Sequence, residues 1–133
     1  MILITIIFIV YTCLDAITQA FYYDSNPDTK DIHGLFLAQR AIVVASLSFN
    51  LPSDYSYTHI GIYAFALCLI YSFFHNGVYY FSRHTLNNKI YPKGFFSNSE
   101  TSTAVMEFGI GFRTALAIIG FIFLYGLTLW YTH

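Results

Sequence analysis

The sequence predicts an all-α fold, an integral membrane helical bundle of four transmembrane helices, with three as the fallback. Three observations carry that expectation. Of the 133 residues, 56% are apolar and only 10% are charged, whereas soluble proteins average about 25% charged. The apolar residues are gathered into four long runs. Turn-forming residues fall at the borders of those runs. A chain this short, folded in water, could not hide so much apolar surface, so lipid is the expected solvent for most of it. The length allows one domain, taken as a single transmembrane domain over 1–133.

The runs cover about 2–23, 34–51, 57–81 and 105–131. An apolar bilayer core takes roughly 20 helical residues, with a working range of about 17 to 25. The first and third runs fit well, and the fourth is long enough to tilt. The second is short and carries Gln39 and Arg40, which is why three spans remain as the fallback. The first run has no Lys or Arg before it, and it outlasts the roughly 7 to 15 apolar residues of a secretory signal. It therefore reads as a retained anchor. Asn26-Pro27-Asp28 breaks the first helix, and Leu51-Pro52-Ser53-Asp54 makes a tight return. The only long connection spans about 82–104 and contains Pro92 and Gly94. Within it, Ser97-Asn98-Ser99-Glu100 has capping-box spacing, which would start the last helix before it enters lipid.

Positive charge sets the expected orientation. Lys30 lies in the first connection, and Arg83, Lys89 and Lys93 lie in the third. The N-terminus, the second connection and the C-terminus carry none. Because cytoplasmic loops hold the excess of Lys and Arg, 24–33 and 82–104 are expected inside and both termini on the extracytoplasmic side.

The informative residues are the ionisable ones within the runs: Asp15, Arg40, Glu107 and Arg113. Insertion of Asp or Arg at a helix centre costs about 2.5 to 3.5 kcal/mol. With consecutive runs treated as antiparallel hairpins, Asp15 and Arg40 fall at one depth, roughly 10 to 12 Å below the cytoplasmic border at 1.5 Å per residue. An ion pair between them lowers the cost of burying either. In the second hairpin, His75 falls opposite about residue 111 and Arg113 opposite about residue 73, with Glu107 level with Tyr79. Asp15, Gln19, Arg40, His75, Asn76, Glu107 and Arg113 are thus expected in one slab of the inner half of the membrane, as a converging polar cluster. Spacing supports shared faces: Asp15 with Gln19, His75 with Tyr79 and Arg83, and His33 with Arg40. A plainer alternative has Arg40 snorkelling to the headgroups and Glu107 lying at the interface. The 12 Tyr and 14 Phe read mainly as lipid-facing bulk and interfacial belt, with Trp130 and Tyr131 in the outer belt.

Other chemistry is thinly supported. The near-neutral charge balance lacks the basic stripe of a nucleic-acid binder. Cys13 and Cys68 sit in apolar runs and indicate neither a disulfide framework nor zinc. No phosphate loop, Gly-x-Ser-x-Gly elbow or Cys-x-x-Cys pair is present, and the reading leans away from an enzyme, with no catalytic residue assigned. No cofactor is expected; a haem or metal at His75, with Glu107 and His84 as companion ligands, is the alternative. Phe74-His75-Asn76-Gly77-Val78 is similar, over a few residues, to the haem-bearing helix of succinate dehydrogenase membrane anchor subunits. Tyr79-Tyr80 stands where that family continues with a basic residue and histidine, so the likeness does not assign the family. Gly109, Gly111, Gly120 and Gly126 line the fourth run, which is expected to be central to the bundle or to an assembly.

The function expected is that of a small polytopic membrane protein, a non-catalytic accessory or assembly subunit of a larger membrane complex or lipid-containing particle. Its expected partners are the bilayer and either a membrane protein or further copies of itself. One alternative is a proton or small-ion carrier or channel element using the Asp/Arg/His/Glu layer. The other is a haem or quinone anchor.

Overall fold

A computed structural model describes residues 1–25, 33–51, 55–98 and 108–132, with the side chains of 33, 34, 131 and 132 outside the description. Four helices follow one another: α1 (Ile2–Ser25), α2 (His33–Phe49), α3 (Tyr57–Leu86) and α4 (Ile110–Thr132). The all-α helical bundle is therefore the fold, and α1, α3 and α4 are each long and apolar enough to cross a membrane. The 17 residues of α2 rise about 25 Å at 1.5 Å each, which is at the short edge of a bilayer's hydrocarbon thickness.

Cross-helix contacts fix the directions. Thr5 meets Tyr63 and Asp15 meets Tyr71, so α1 and α3 run parallel. Asp15 meets Arg40 and Tyr22 meets Phe36, so α2 runs back alongside α1. Arg113 reaches Phe73, Phe123 meets Phe65 and Trp130 meets His59, so α4 is antiparallel to α3. The chain passes up and down in alternation.

The centre of the bundle is α3, which touches all three other helices, while α4 packs on α3 alone among the described residues. Of the two places expected for the glycine-lined fourth run, central to the bundle or to an assembly, the first is corrected: α3 holds the centre of the bundle. One glycine explains the difference. A Cβ on Gly120 would stand 2.8 Å from the Ala66 carbonyl oxygen and 2.8 Å from Ile70 Cγ1, so its missing side chain brings α4 onto α3 at one crossing. Its other described glycines, Gly111 and Gly126, face open space. The buried core follows the same geometry: Phe8 from α1, Tyr63, Ala66, Leu67 and Ile70 from α3, and Leu124 and Leu127 from α4. Large apolar side chains such as Val10, Leu37, Ile42, Ile118 and Ile122 point outward, where lipid rather than water suits them.

Helix borders in α1 and α2 shift from the sequence expectation by one or two residues, and two other borders differ by more. The third helix continues beyond 81 to Leu86, because Ser82–Thr85 are compatible with helix and the Asn87 N–H closes the last turn on the Arg83 carbonyl. The fourth begins at Ile110 rather than near 105 or earlier. Asn98 Oδ1 accepts the Ile110 N–H at 3.2 Å, so a side chain from the preceding connection satisfies one of the free donors at the helix start. Ser97 and Asn98 are not helical. Glu100, which would complete the capping box, lies outside the described residues, as do the turns at 26–30 and 52–54.

Candidate functional site: a buried polar node

Asp15 is delivered by the middle of α1, one helical turn before Gln19, so both present the same face to α3. Its side chain is 2% exposed. The Gln19 amide nitrogen donates to both carboxylate oxygens at 3.0 Å. Arg40 Nε donates to Oδ2 at 3.0 Å, and the Tyr71 hydroxyl donates to the same oxygen at 3.2 Å. An ionised carboxylate offers about four acceptor positions, two on each oxygen; three of these contacts fall on Oδ2 and one on Oδ1. The Asp15–Arg40 contact joins α1 to α2, and Tyr71 adds α3.

Arg40 turns into the bundle rather than toward the headgroups, although its side chain stays 20% exposed. Its guanidinium carbon lies 4.9 Å from the centroid of the Tyr71 ring, in cation–π range. Its Nη2 lies 3.0 Å from His75 Nε2. Since a guanidinium has only donors, His75 Nε2 must be the acceptor, which places the imidazole proton on Nδ1. That proton faces Asn76 Oδ1 at 3.2 Å, and the Asn76 amide continues to Ser72 Oγ at 3.4 Å. A proton on Nε2 would instead confront the guanidinium, even though Asp15 Oδ2 lies 3.4 Å away. The assignment of anionic Asp15, cationic Arg40 and a neutral imidazole satisfies the contacts of His75 with Arg40 and Asn76, and leaves the approach of Nε2 to Asp15 Oδ2 without a hydrogen bond. The rings of Tyr71 and His75 stack at 4.8 Å, and those of His75 and Tyr79 are nearly parallel at 6.2 Å.

Arg113 is a separate matter. The expected single cluster is divided by α3: Asp15, Gln19, Arg40, His75 and Asn76 lie on the side facing α1 and α2, while Arg113 lies on the side facing α4. Arg113 is 0% exposed and donates to two main-chain carbonyls, Ser97 O at 2.9 Å and Phe73 O at 3.2 Å. Its Nε has no hydrogen-bond partner among the described residues. The guanidinium thus fastens α4 to α3 and to the connection that precedes it. Its depth opposite residue 73 is the one expected from the hairpin geometry. Glu107 lies outside the described residues, as does the His33 side chain.

Chemically, the node is compensated and its hydrogen bonds are made. Both nitrogens of His75 are engaged, one by Arg40 and one by Asn76. Among the described residues, no three His, Cys, Asp or Glu side chains come together as metal ligands. Compared with protein-family models, curated proteins and solved structures, the chain finds no significant match in any of the three. The chain is a small integral membrane protein by its own apolar helices.

Sequence reasoning missed Tyr71, which was absorbed into the lipid-facing aromatic bulk. A signal was present: Tyr71, His75, Tyr79 and Arg83 recur at four-residue intervals, one stripe along α3. The carbonyl partners of Arg113 had no signal, because main-chain acceptors are common to every residue.

Proposed function

We propose that this chain is a non-catalytic accessory or assembly subunit that packs within a larger membrane complex or lipid-containing particle. The observation that carries the reading is the engagement of Asp15 by donors from α1, α2 and α3. Transported ions and substrates need an acceptor that can be vacated, whereas this carboxylate is occupied by donors from three helices of its own chain. The node acts as a polar pin that sets the register of α1, α2 and α3, a use well attested for buried polar groups in helical assemblies. The outward faces of α1, α2 and α4 remain for lipid and for a partner's helices. Following the distribution of Lys and Arg, the connections at 24–33 and 82–104 face the cytoplasm and both termini the opposite side.

A second reading, a proton or small-ion element, is favoured by the stripe that leads from the node toward the third connection: Tyr71, His75, Tyr79 and Arg83, with Arg83 Nη1 donating to the Tyr79 hydroxyl at 3.0 Å. Native mass spectrometry of the complex extracted in mild detergent, with proton flux in liposomes beside it, separates the two. The subunit reading expects a stoichiometric protein partner and no flux from the isolated chain. A chain recovered without a partner, whose flux is abolished by Asp15→Asn, overturns it in favour of the second.

A further inference from the structure

Asp15 Oδ2 stands between two groups that can carry positive charge. It accepts Arg40 Nε at 3.0 Å, and His75 Nε2 lies 3.4 Å from the same oxygen. While the imidazole is neutral, Nε2 accepts Arg40 Nη2 at 3.0 Å. A proton on Nε2 removes that acceptor, sets a second cation against the guanidinium, and supplies a new donor close to Oδ2. That oxygen already receives Gln19, Arg40 and Tyr71, so a fourth donor displaces one of them. Like charge selects Arg40 as the one to leave.

Among the described residues, few other titratable groups surround the imidazole. From α1 it faces Asp15, with Tyr11 one turn earlier on that helix. From α2 it faces Arg40. Within α3 the rings of Tyr71 and Tyr79 flank it, and Arg83 lies beyond, on the Tyr79 hydroxyl. Arg113 of α4 is held by the Phe73 and Ser97 carbonyls across α3. The helix that carries Arg40 is also the most lightly packed. Of the described residues of α2 only Ser48 is buried, and Val44 and Leu47 are partly buried against the core. The Arg40 side chain already borders the exterior of the bundle, and long basic side chains can extend along apolar surface to the headgroups.

From these features we infer that the node is a proton-operated latch: a proton taken up by His75 displaces Arg40 from Asp15, and α2 then withdraws from α1 and α3. The exchange balances. One solvent proton forms the new N–H bond, the guanidinium leaves with its charge, and the node is neutral before and after. The released state holds one proton more than the docked state, so acid favours release, by at most about ten-fold in the population ratio per pH unit. The latch goes beyond the accessory role and does not depend on it, because it operates within the isolated chain.

The test measures distances between nitroxide spin labels by double electron–electron resonance, on the full chain in lipid nanodiscs with Cys13→Ser and Cys68→Ser as background. Labels at Leu37→Cys and Phe81→Cys report α2 against α3. Labels at Leu14→Cys and Phe65→Cys report α1 against α3, and all four positions are exposed. From about pH 8 down to about pH 5, where an imidazole changes charge, a longer α2–α3 distance should grow in. Its ratio to the shorter one should rise toward ten-fold per pH unit, while the α1–α3 distance stays fixed. His75→Gln offers Arg40 an acceptor but binds no proton, so its α2–α3 distance should stay short throughout. Arg40→Gln has no charge to expel, so its α2–α3 distance should not respond to pH. The α1–α3 distance reports whether each variant has folded, and if His75→Gln fails there, Arg40→Gln decides alone. A wild-type α2–α3 distance that ignores pH overturns the latch, as does a response retained in either variant or a lengthening of both distances together.

Discussion

Replacing Asp15 by Asn removes the negative charge of the node while leaving its shape nearly unchanged. The carboxylate receives donors from Gln19, Arg40 and Tyr71 through four contacts. Polar contacts between membrane helices average about 0.6 kcal/mol each, which puts the whole set near 2 kcal/mol. Breaking a buried ion pair by removing one partner costs about 3 to 5 kcal/mol in soluble cores. Arg40 is one-fifth exposed and can partly rehydrate, so the lower figure governs and the expected loss is about 2 to 3 kcal/mol. The assay is equilibrium unfolding in mixed micelles by circular dichroism, on the wild type, Asp15→Asn, Arg40→Gln and the double variant. Each single change leaves the opposite charge uncompensated, whereas the double variant leaves neither. The double variant should therefore be more stable than the sum of the single losses implies, by about 1 to 2 kcal/mol of coupling. Losses that add to within about 0.5 kcal/mol would refute the claim that these two side chains act as a pair.

Two further outcomes follow from the α3–α4 contact. Gly120→Ile should drive α4 away from the Ala66 carbonyl and cost more than the roughly 1 to 3 kcal/mol of ordinary overpacking, because a main-chain atom cannot yield as a side chain can; the same unfolding assay reads it. Arg113→Met keeps an unbranched, flexible side chain but removes the donors to Ser97 and Phe73, so hydrogen exchange should accelerate in 94–98 while the α1–α3 contact is unaffected. Acceleration spread evenly over the chain would contradict the separation of Arg113 from the node.

Much of this architecture was legible from hydropathy alone. Continuous apolar runs announced α1, α3 and α4, since a bilayer imposes a length that few other environments demand. The meeting of Asp15 and Arg40 was legible because a short connection forces equal depths on the two arms of a hairpin. Depth, however, is one coordinate of three. It placed Arg113 level with residue 73 and gave no azimuth, so the charge was grouped with Asp15 although α3 stands between them. Tyr71 was hidden by composition: in a chain with 12 tyrosines, a hydroxyl with a buried partner looks like its neighbours. The central position of α3 was masked by the glycines of α4, which mark close approach without saying to how many helices. The last-helix start moved because Asn98 supplies a cap across twelve residues of chain, a contact no local pattern contains.

The pairing of Asp15 with Arg40 also bears on how the chain enters the membrane. Both residues have been synthesised once the second helix is complete, before any of α3 exists. Each alone would burden the partitioning of its helix out of the insertion machinery. Were α2 to enter the membrane together with α1, the pair would carry no net charge into the hydrocarbon, and the arriving α3 would add Tyr71 and His75 to it. The residue that neutralises Asp15 is thus the next basic residue after Lys30 to be synthesised, and exchanging α2 with a helix lacking a basic residue would leave Asp15 uncompensated until α3 arrives.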